Sequence, residues 1–204
     1  KIDPSLLRRS IDLMRSETSR MQHLVEDLLT LSQLENGPPL ADSGTVNVVD
    51  LVHDLEQEAK RLSLGKHTIS SDIRIDTQLR GSAHELRSAF SNLVSNAVRY
   101  TPAGGAVVLA WANQGDLPSF AVSDTGPGIA AEHIPRLTER FYRVDRSRSR
   151  QSGGTGLGLA IVKHILNRHQ AQLDVTSELG KGSRFVAIFP AERAVAAEPV
   201  PLSA

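Results

Sequence analysis

Asn92-Leu93-Val94-Ser95-Asn96-Ala97, followed at once by Val98-Arg99-Tyr100-Thr101-Pro102, is the stretch that decides how this chain folds. Leu93, Val94 and Ala97 supply the buried side of a helix. Asn92 and Asn96 stand one helical turn apart, so both amides project the same way. A carboxamide oxygen is a neutral, hard ligand suited to Mg²⁺, an ion that keeps several waters and takes further ligands from phosphates. For the pair alone, two surface amides on a helix would be the plainer reading. With Arg99, Tyr100, Thr101 and Pro102 directly behind it, chemistry becomes the better one.

Three further motifs lie toward the C-terminus. Asp124-Thr125-Gly126-Pro127-Gly128-Ile129 follows the β-rich stretch Phe120-Ala121-Val122. A carboxylate at a strand end can accept a hydrogen bond from an exocyclic amine such as adenine's. Gly126 and Gly128 let the backbone come close and turn sharply. Standing alone, the motif would be an ordinary Asp-Gly turn. Gly153-Gly154-Thr155-Gly156-Leu157-Gly158-Leu159 runs straight into an apolar helix. Exposed amides at a helix start form an anion site, and glycines let phosphates reach them. It is not a Walker A loop, because no Gly-Lys-Ser/Thr follows. It fails the dinucleotide pattern too, since position 161 is Ile and no strand leads in. Between these two motifs, Glu139-Arg140-Phe141-Tyr142-Arg143 opens the least regular part of the chain. Arg146, Arg148 and Arg150 follow, among Ser147, Ser149, Gln151 and Ser152. Such a loop is either a solvated basic segment or a lid whose arginines neutralise phosphate charge, and the glycine motif beside it favours the lid.

In this order the four motifs resemble the N, G1, F and G2 boxes of the ATP-binding domain of two-component sensor histidine kinases, members of the GHKL superfamily. The likeness covers about residues 5–190. The wording around Asn92–Pro102 is most similar to the subgroup that includes the phosphate-responsive sensor kinases. The resemblance implies a Bergerat-type α/β sandwich, a mixed sheet with helices on one face, preceded by a long bundle-forming helix. It implies ATP and Mg²⁺ as cofactors, with Asn92 as the metal ligand, Asn96 near the phosphates, Arg99 on phosphate and Tyr100 against the nucleotide. Asp124 becomes the adenine reader, flanked by Gly126 and Gly128, with Ile129 packed on the ring. Gly154, Thr155, Gly156, Leu157, Gly158 and Leu159 line the phosphate loop, and Arg143 is the favoured lid contact. Gly180-Lys181-Gly182-Ser183 resembles the family's last box, where the Ser183 hydroxyl would help to hold adenine. Phe141 and Tyr142 would anchor the apolar base of the lid.

Composition sets the outer bounds. The chain has 204 residues, 40% of them hydrophobic and only 4% aromatic, so aliphatic side chains must fill the core. A formal net charge of zero offers no electrostatic argument for nucleic acid or an anionic membrane. There is no cysteine, which excludes disulfides and thiolate chemistry and fits a reducing, cytoplasmic setting. No apolar run approaches the roughly 18 residues needed to span a bilayer. Any membrane attachment would come from other segments of a parent protein. Lys1, in place of an initiator Met, reads as a start inside a longer protein.

Leu7, Ile11, Met14, Met21, Val25 and Leu28 follow steps of four and three, with Thr18 completing the series. That is the seam of a bundle or coiled coil over residues 5–35, with Asp3 or Ser5 as a start cap. The expected organisation is a second dimerisation helix at 1–36, a linker at 37–45, the catalytic ATP-binding domain at 46–192 and a disordered tail at 193–204. Within the domain the pattern predicts a strand at 46–49, a helix capped by Asp50 and running to Leu64, a strand at 68–75 and a helix at 82–100. Strands at 106–112 and 119–123 flank a turn at 113–118. A helix at 156–170 precedes a hairpin of 173–177 with 183–189.

In the resembled family the phosphorylated histidine sits on a first helix, ahead of one like residues 5–35, so the acceptor is expected outside this sequence. His84-Glu85-Leu86-Arg87 imitates its box but continues Ser88-Ala89, not Thr-Pro. His23 lies off the seam and lacks the acidic neighbour. The resemblance implies phosphoryl transfer from ATP to a histidine and onward to a response-regulator aspartate, a homodimer through the 5–35 helix, and a place on the cytoplasmic face of the membrane. Two alternatives stay open at this point: a nucleotide-binding regulatory module without chemistry, and an ATPase of the wider superfamily.

Overall fold

In the computed structural model, residues 4–37, 40, 44–144 and 154–196 are described. The long helix α1 spans Pro4–Asn36. Its start leaves Ser5 inside the helix, and Asp3 lies outside the described residues. The chain then alternates: β1 (Thr45–Val46), α2 (Val48–Ser63), β2 (Thr68–Ile73), β3 (Gln78–Arg80), α3 (Ala83–Tyr100), β4 (Ala106–Gln114) and β5 (Leu117–Asp124). A 3₁₀ turn at Ala131–Arg136 leads toward α4 (Gly158–Arg168), β6 (Gln172–Glu178), β7 (Gly182–Ile188) and β8 (Ala194–Val195).

Five strands form one sheet in the order β2-β4-β5-β7-β6, with β2 and β4 parallel and the other pairs antiparallel. β1, β3 and β8 make a small second sheet. Residues alternate across the large sheet as the pleat demands. Leu109, Trp111, Phe120, Val122, Phe185 and Ala187 point into the core with Leu55 of α2, Phe90 and Leu93 of α3, and Ile161 and Ile165 of α4. Phe90 stacks on Phe120 at 4.0 Å between ring centres. The opposite face carries small and polar side chains (Ala110, Ala112, Ser119, Thr176, Arg184) around an open concavity. This is the expected mixed sheet with helices on one face.

Local sequence explains the helices. α2 buries Val48, Leu51, Val52, Leu55 and Ala59, an i, i+3, i+4, i+7, i+11 stripe. Its start corrects two expectations. β1 stops at Val46, and the cap is Asn47, whose Oδ1 accepts the Asp50 N–H at 3.2 Å. Asp50 sits three residues inside and cannot cap, because its own amide is one of the orphan donors. α3 starts at the Ser82 cap and buries Leu86, Ala89, Phe90, Leu93, Val94, Ala97 and Val98. That leaves Asn92 and Asn96 half-buried at the edge of its packed face.

His169, fully buried, couples the two site helices. Its Nδ1–H donates to Ile165 O at 2.8 Å and its Nε2 accepts the Ser82 N–H at 3.1 Å. Burial lowers its pKa, so the ring is neutral and both nitrogens are satisfied. Arg168 pairs with Glu85 across the same joint at 3.1 Å.

Other boundaries shift. β3 was not anticipated, because three residues are too few to show alternation. The β4–β5 turn is only Gly115-Asp116, since Gln114 already pairs with Leu117. α4 begins at Gly158 and stops at Arg168, shorter than expected at both ends. The tail expected from 193 instead holds β8, whose Ala194 pairs with Leu79 and Val195 with Gln78. Residues 197–204 lie outside the described residues. Among the described residues, no helix is long and apolar enough to cross a membrane.

α1 has two apolar faces. The predicted seam is exposed: Leu7, Ile11, Met14, Met21, Val25 and Leu28 all face away from the domain. A second face was missed. Leu31 and Leu34 are buried against the catalytic body, with Leu24 packed beside them.

Candidate nucleotide site

The end of the site that the sequence assigns to a base is a single transverse row across the large sheet. Ser177 of β6 pairs with Ser183 of β7, and Ser183 pairs with Asp124 of β5. Directly paired residues share a face, and Phe120 and Val122 show that this is the helix-covered face. Asp124 Oδ1 accepts the Gly126 N–H at 2.8 Å. Burial pushes the Asp124 carboxyl above its ordinary range, while hydrogen bonds from the Gly126 and Ser183 backbone pull the other way.

Glycines permit the close approach here. A Cβ on Gly182 (φ +112°) would lie 1.9 Å from Asp124 O, and one on Gly128 (φ +72°) 2.0 Å from Glu178 O. Only glycine allows the β6–β7 turn to close against the loop after β5. Gly126 packs on the last turn of α3, where a Cβ would lie 3.2 Å from Tyr100 O. Ile129 is half-buried against the core, and its N–H donates to Ser177 Oγ at 2.8 Å.

The end that the sequence assigns to phosphate is built from three segments. Asn92 Nδ2 donates to Ser88 O at 2.9 Å, which turns Oδ1 toward the start of α4. A Cβ on Gly158 would come within 2.6 Å of that oxygen. Gly154 lies between the end of α3 and the Arg140–Arg143 segment. A Cβ there would be 3.1 Å from Arg99 Nη1, 3.8 Å from Arg143 Nη2 and 3.8 Å from Tyr100 Oη. Gly156 (φ +76°) sits against the Phe141 backbone, and Phe141 N–H donates to Gly156 O at 2.9 Å. Leu157 is buried and Leu159 half-buried, anchoring the loop to the core. Asn96 stands one turn beyond Asn92, half-buried. The structure thus sets Arg99, Tyr100 and Arg143 around Gly154, and Asn92 beside Gly158.

The base of the expected lid differs. Phe141 is 57% exposed at φ +61°, so it is not an apolar anchor. Its conformation serves the bond to Gly156 instead. Tyr142 anchors through polarity: His133 Nδ1 lies 2.7 Å from its Oη, and the Arg136 guanidinium sits 4.3 Å over its ring. Arg146, Arg148, Arg150 and Gly153 lie outside the described residues.

Sequence reasoning missed the residues that join α1 to the site. Thr155 Oγ–H donates to Asp27 Oδ2 at 2.6 Å. Glu35 pairs with Arg140 and faces His164 Nε2 at 3.3 Å. Polar positions on a long helix carry no periodic signal of such contacts. Ser177 was missed as well, although its inward register could be read once β6 was placed. His84 is exposed in the first turn of α3, on the body of the domain, and His23 Nδ1 lies 2.7 Å from Ser19 O on α1.

The model of the histidine kinase-, DNA gyrase B-, and HSP90-like ATPases matches residues 81–193, and the chain belongs to that family. Among the proteins it resembles are sensor kinases. It is 48% identical over 202 residues to the phosphate regulon sensor protein PhoR of Pseudomonas aeruginosa, covering 98% of this chain and 45% of that protein. It is 42% identical over 173 residues to the sensor histidine kinase RppB of Synechocystis, covering 84% of this chain and 38% of that protein. The chain therefore spans less than half the length of these relatives. Full-length ShkA, solved in complex with AMPPNP, superposes with a TM-score of 0.79 at 28% identity, over 98% of this chain and 41% of that one. These residues are the ATP-binding catalytic part of a two-component sensor kinase, similar to the phosphate regulon sensors.

Proposed function

We propose that this chain is the donor half of a phosphorelay, binding Mg²⁺-ATP and presenting its γ-phosphoryl group to a histidine of the parent protein. The observation that carries this reading is the meeting at Gly154 and Gly158 of Asn92, Arg99, Tyr100 and Arg143, from three separate motifs. Asp124 accepts the adenine amine, Ser183 stands beside it, and Ile129 covers the ring. Arg99 and Arg143 neutralise phosphate charge, and the start of α4 supplies backbone N–H donors. Residues 154–159 form the floor under the phosphates, and Asn96 borders it. Asn92 fits Mg²⁺: its amide nitrogen is committed to Ser88 O, so its oxygen is held outward beside a glycine that leaves room. When bound, the ion would be held through Asn92 Oδ1 and would supply charge screening for the phosphates.

The protein's contribution is positioning and charge neutralisation. The phosphoryl group then passes to a response-regulator aspartate. The exposed seam of α1 supports a homodimer, because an apolar stripe of this length needs a partner helix. Residues 1–36 serve as the second dimerisation helix, and the catalytic domain, expected at 46–192, extends from β1 through β8. In the parent protein this part works on the cytoplasmic face of the membrane.

The test is incubation with γ-labelled ATP, first alone and then with an ATP-site-dead kinase that keeps its histidine box. Label should appear only on the added protein, in acid-labile form. Strong acid-labile label on this chain alone, lost in His84→Gln, would overturn the assignment.

A further inference from the structure

We propose that Ser177 is a positioning residue that fixes the hydrogen-bond polarity of the base-reading edge, and with it the preference for a 6-amino over a 6-oxo purine. The inference rests on the reading that Asp124 and Ser183 face the base. It starts from the hydroxyl inventory: one proton and two lone pairs. Ser177 Oγ has three neighbours. The Ile129 N–H, at 2.8 Å, can only donate to it. Gly182 O, at 2.8 Å, can only accept, so it takes the Ser177 proton. Ser183 Oγ, at 2.9 Å, must therefore be the donor in the third bond.

The Ser183 proton is thus spent sideways along the sheet, and its remaining lone pairs are all that Ser183 can offer a ligand. Its neighbour in the row, ionised Asp124, has no proton at all. The edge formed by Ser183 and Asp124 consists of acceptors only. An exocyclic amine satisfies it. A carbonyl at the same ring position would set lone pairs against lone pairs in a half-buried site and leave both sides unpaired, the arrangement that gives strong discrimination. The same hydroxyl ties the loop after β5, through Ile129, to the turn between β6 and β7, through Gly182. It therefore holds the two walls of the base end in one register.

Ser177→Ala removes the acceptor that commits the Ser183 proton. That proton can then turn to the ligand and donate to a 6-oxo group. Calorimetric titration of the whole chain with Mg²⁺-ATP and Mg²⁺-ITP, which differ in the group at ring position 6 and in the proton that ITP carries on N1, reads this as the change in their ratio between parent and variant. We expect ATP to weaken and the ATP-to-ITP affinity ratio to fall about tenfold in Ser177→Ala, with Ser177→Thr restoring it. Loss of both nucleotides by the same factor would mean that Ser177 merely holds structure, and would overturn the proposal, as would an unchanged ratio. If Ser177→Ala does not fold, Ser183→Ala provides the second arm. It removes the polarised oxygen while leaving Ser177 in place, and its ratio must also fall. Asp124→Asn separates the two levels. Unchanged ATP affinity there would sink the base-reading assignment itself. A loss there beside an unmoved ratio in Ser177→Ala would sink only the role of Ser177.

Discussion

At the proposed base end of the site, Ser177, Ser183 and Asp124 stand in one row of three hydrogen-bonded strands. At the phosphate end, Asn92, Arg99, Gly154 and Gly158 come from a helix and a loop that meet side by side. The difference is in what holds each geometry. A sheet cannot slip by one residue without turning every side chain to the other face, so the base end inherits its register from the whole sheet. The phosphate end has no ladder. It relies on glycine contacts and on α1, which reaches in with Asp27 to Thr155 and with Glu35 to Arg140 and His164. One end is fixed by the fold, and the other is coupled to the position of a helix that carries an exposed apolar seam.

The sharpest break in this contrast should come from Gly182→Ala. Its Cβ would meet Asp124 O at 1.9 Å with φ at +112°, and neither backbone can yield without opening the β5–β7 ladder. A destabilisation of roughly 3 kcal/mol is expected, with nucleotide binding lost. Thermal melting with calorimetric titration checks both, and a variant that melts and binds like the parent would show that the base end tolerates slippage.

Asp124→Asn should leave the fold intact and cost binding alone. Exchanging a charge-assisted acceptor for a neutral amide is worth about 1.5–3 kcal/mol. Unchanged ATP affinity by calorimetry would move base recognition elsewhere.

How much of this was legible in the sequence follows the same contrast. The α3 stripe from Leu86 to Val98 and the alternation in β4 and β5 are strong periodic signals, so the sheet and its covering helices could be read directly. Asp124, Asn92 and the glycines were legible because each stands in a motif. Ser177 was not, because its role arises from the pairing of β6 with β7, which one-dimensional spacing does not contain. Asp27 and Glu35 were hidden for a different reason. Their partners Thr155 and Arg140 lie more than a hundred residues away, and a charged residue on a helix looks the same whether it is solvated or docked. The second apolar face of α1, with Leu31 and Leu34, was masked by the stronger seam beside it. Asp50 was mistaken for a cap because Asn47, the true cap, fell inside an expected strand.

A gentler test of the phosphate end is the double change Asp27→Asn with Glu35→Gln. Glu35 and Arg140 are 30% and 50% exposed in their side chains, so each polar contact should contribute only about 0.2–1 kcal/mol. The expected result is an α1 that exchanges its amide hydrogens faster near residues 27–35, while the sheet amides and the melting temperature stay nearly unchanged. ATP affinity should move by less than about threefold. Equal protection of α1 in both proteins would mean that Leu31 and Leu34 alone hold the helix down.

The smallest expected effect concerns pH and distinguishes the ends without changing any backbone contact. Burial raises the folded-state pKa of Asp124 above its unfolded value. Between those two values the folded chain holds a proton that the unfolded chain has released. Free-protein stability therefore falls as pH rises through the window just above the ordinary carboxylate range, and is level beyond the raised value. Nucleotide binding has the opposite sign, because the proposed contact with the adenine amine needs the ionised carboxylate. ATP affinity should decline as pH falls through the raised value. Titrations from pH 8 down to pH 5, with tripolyphosphate in parallel, separate this from protonation of the phosphates themselves. The base-dependent part of the decline should vanish in Asp124→Asn. If it persists there undiminished, the titrating group lies at the phosphate end, and burial at the base end is not what sets the acid limit of binding.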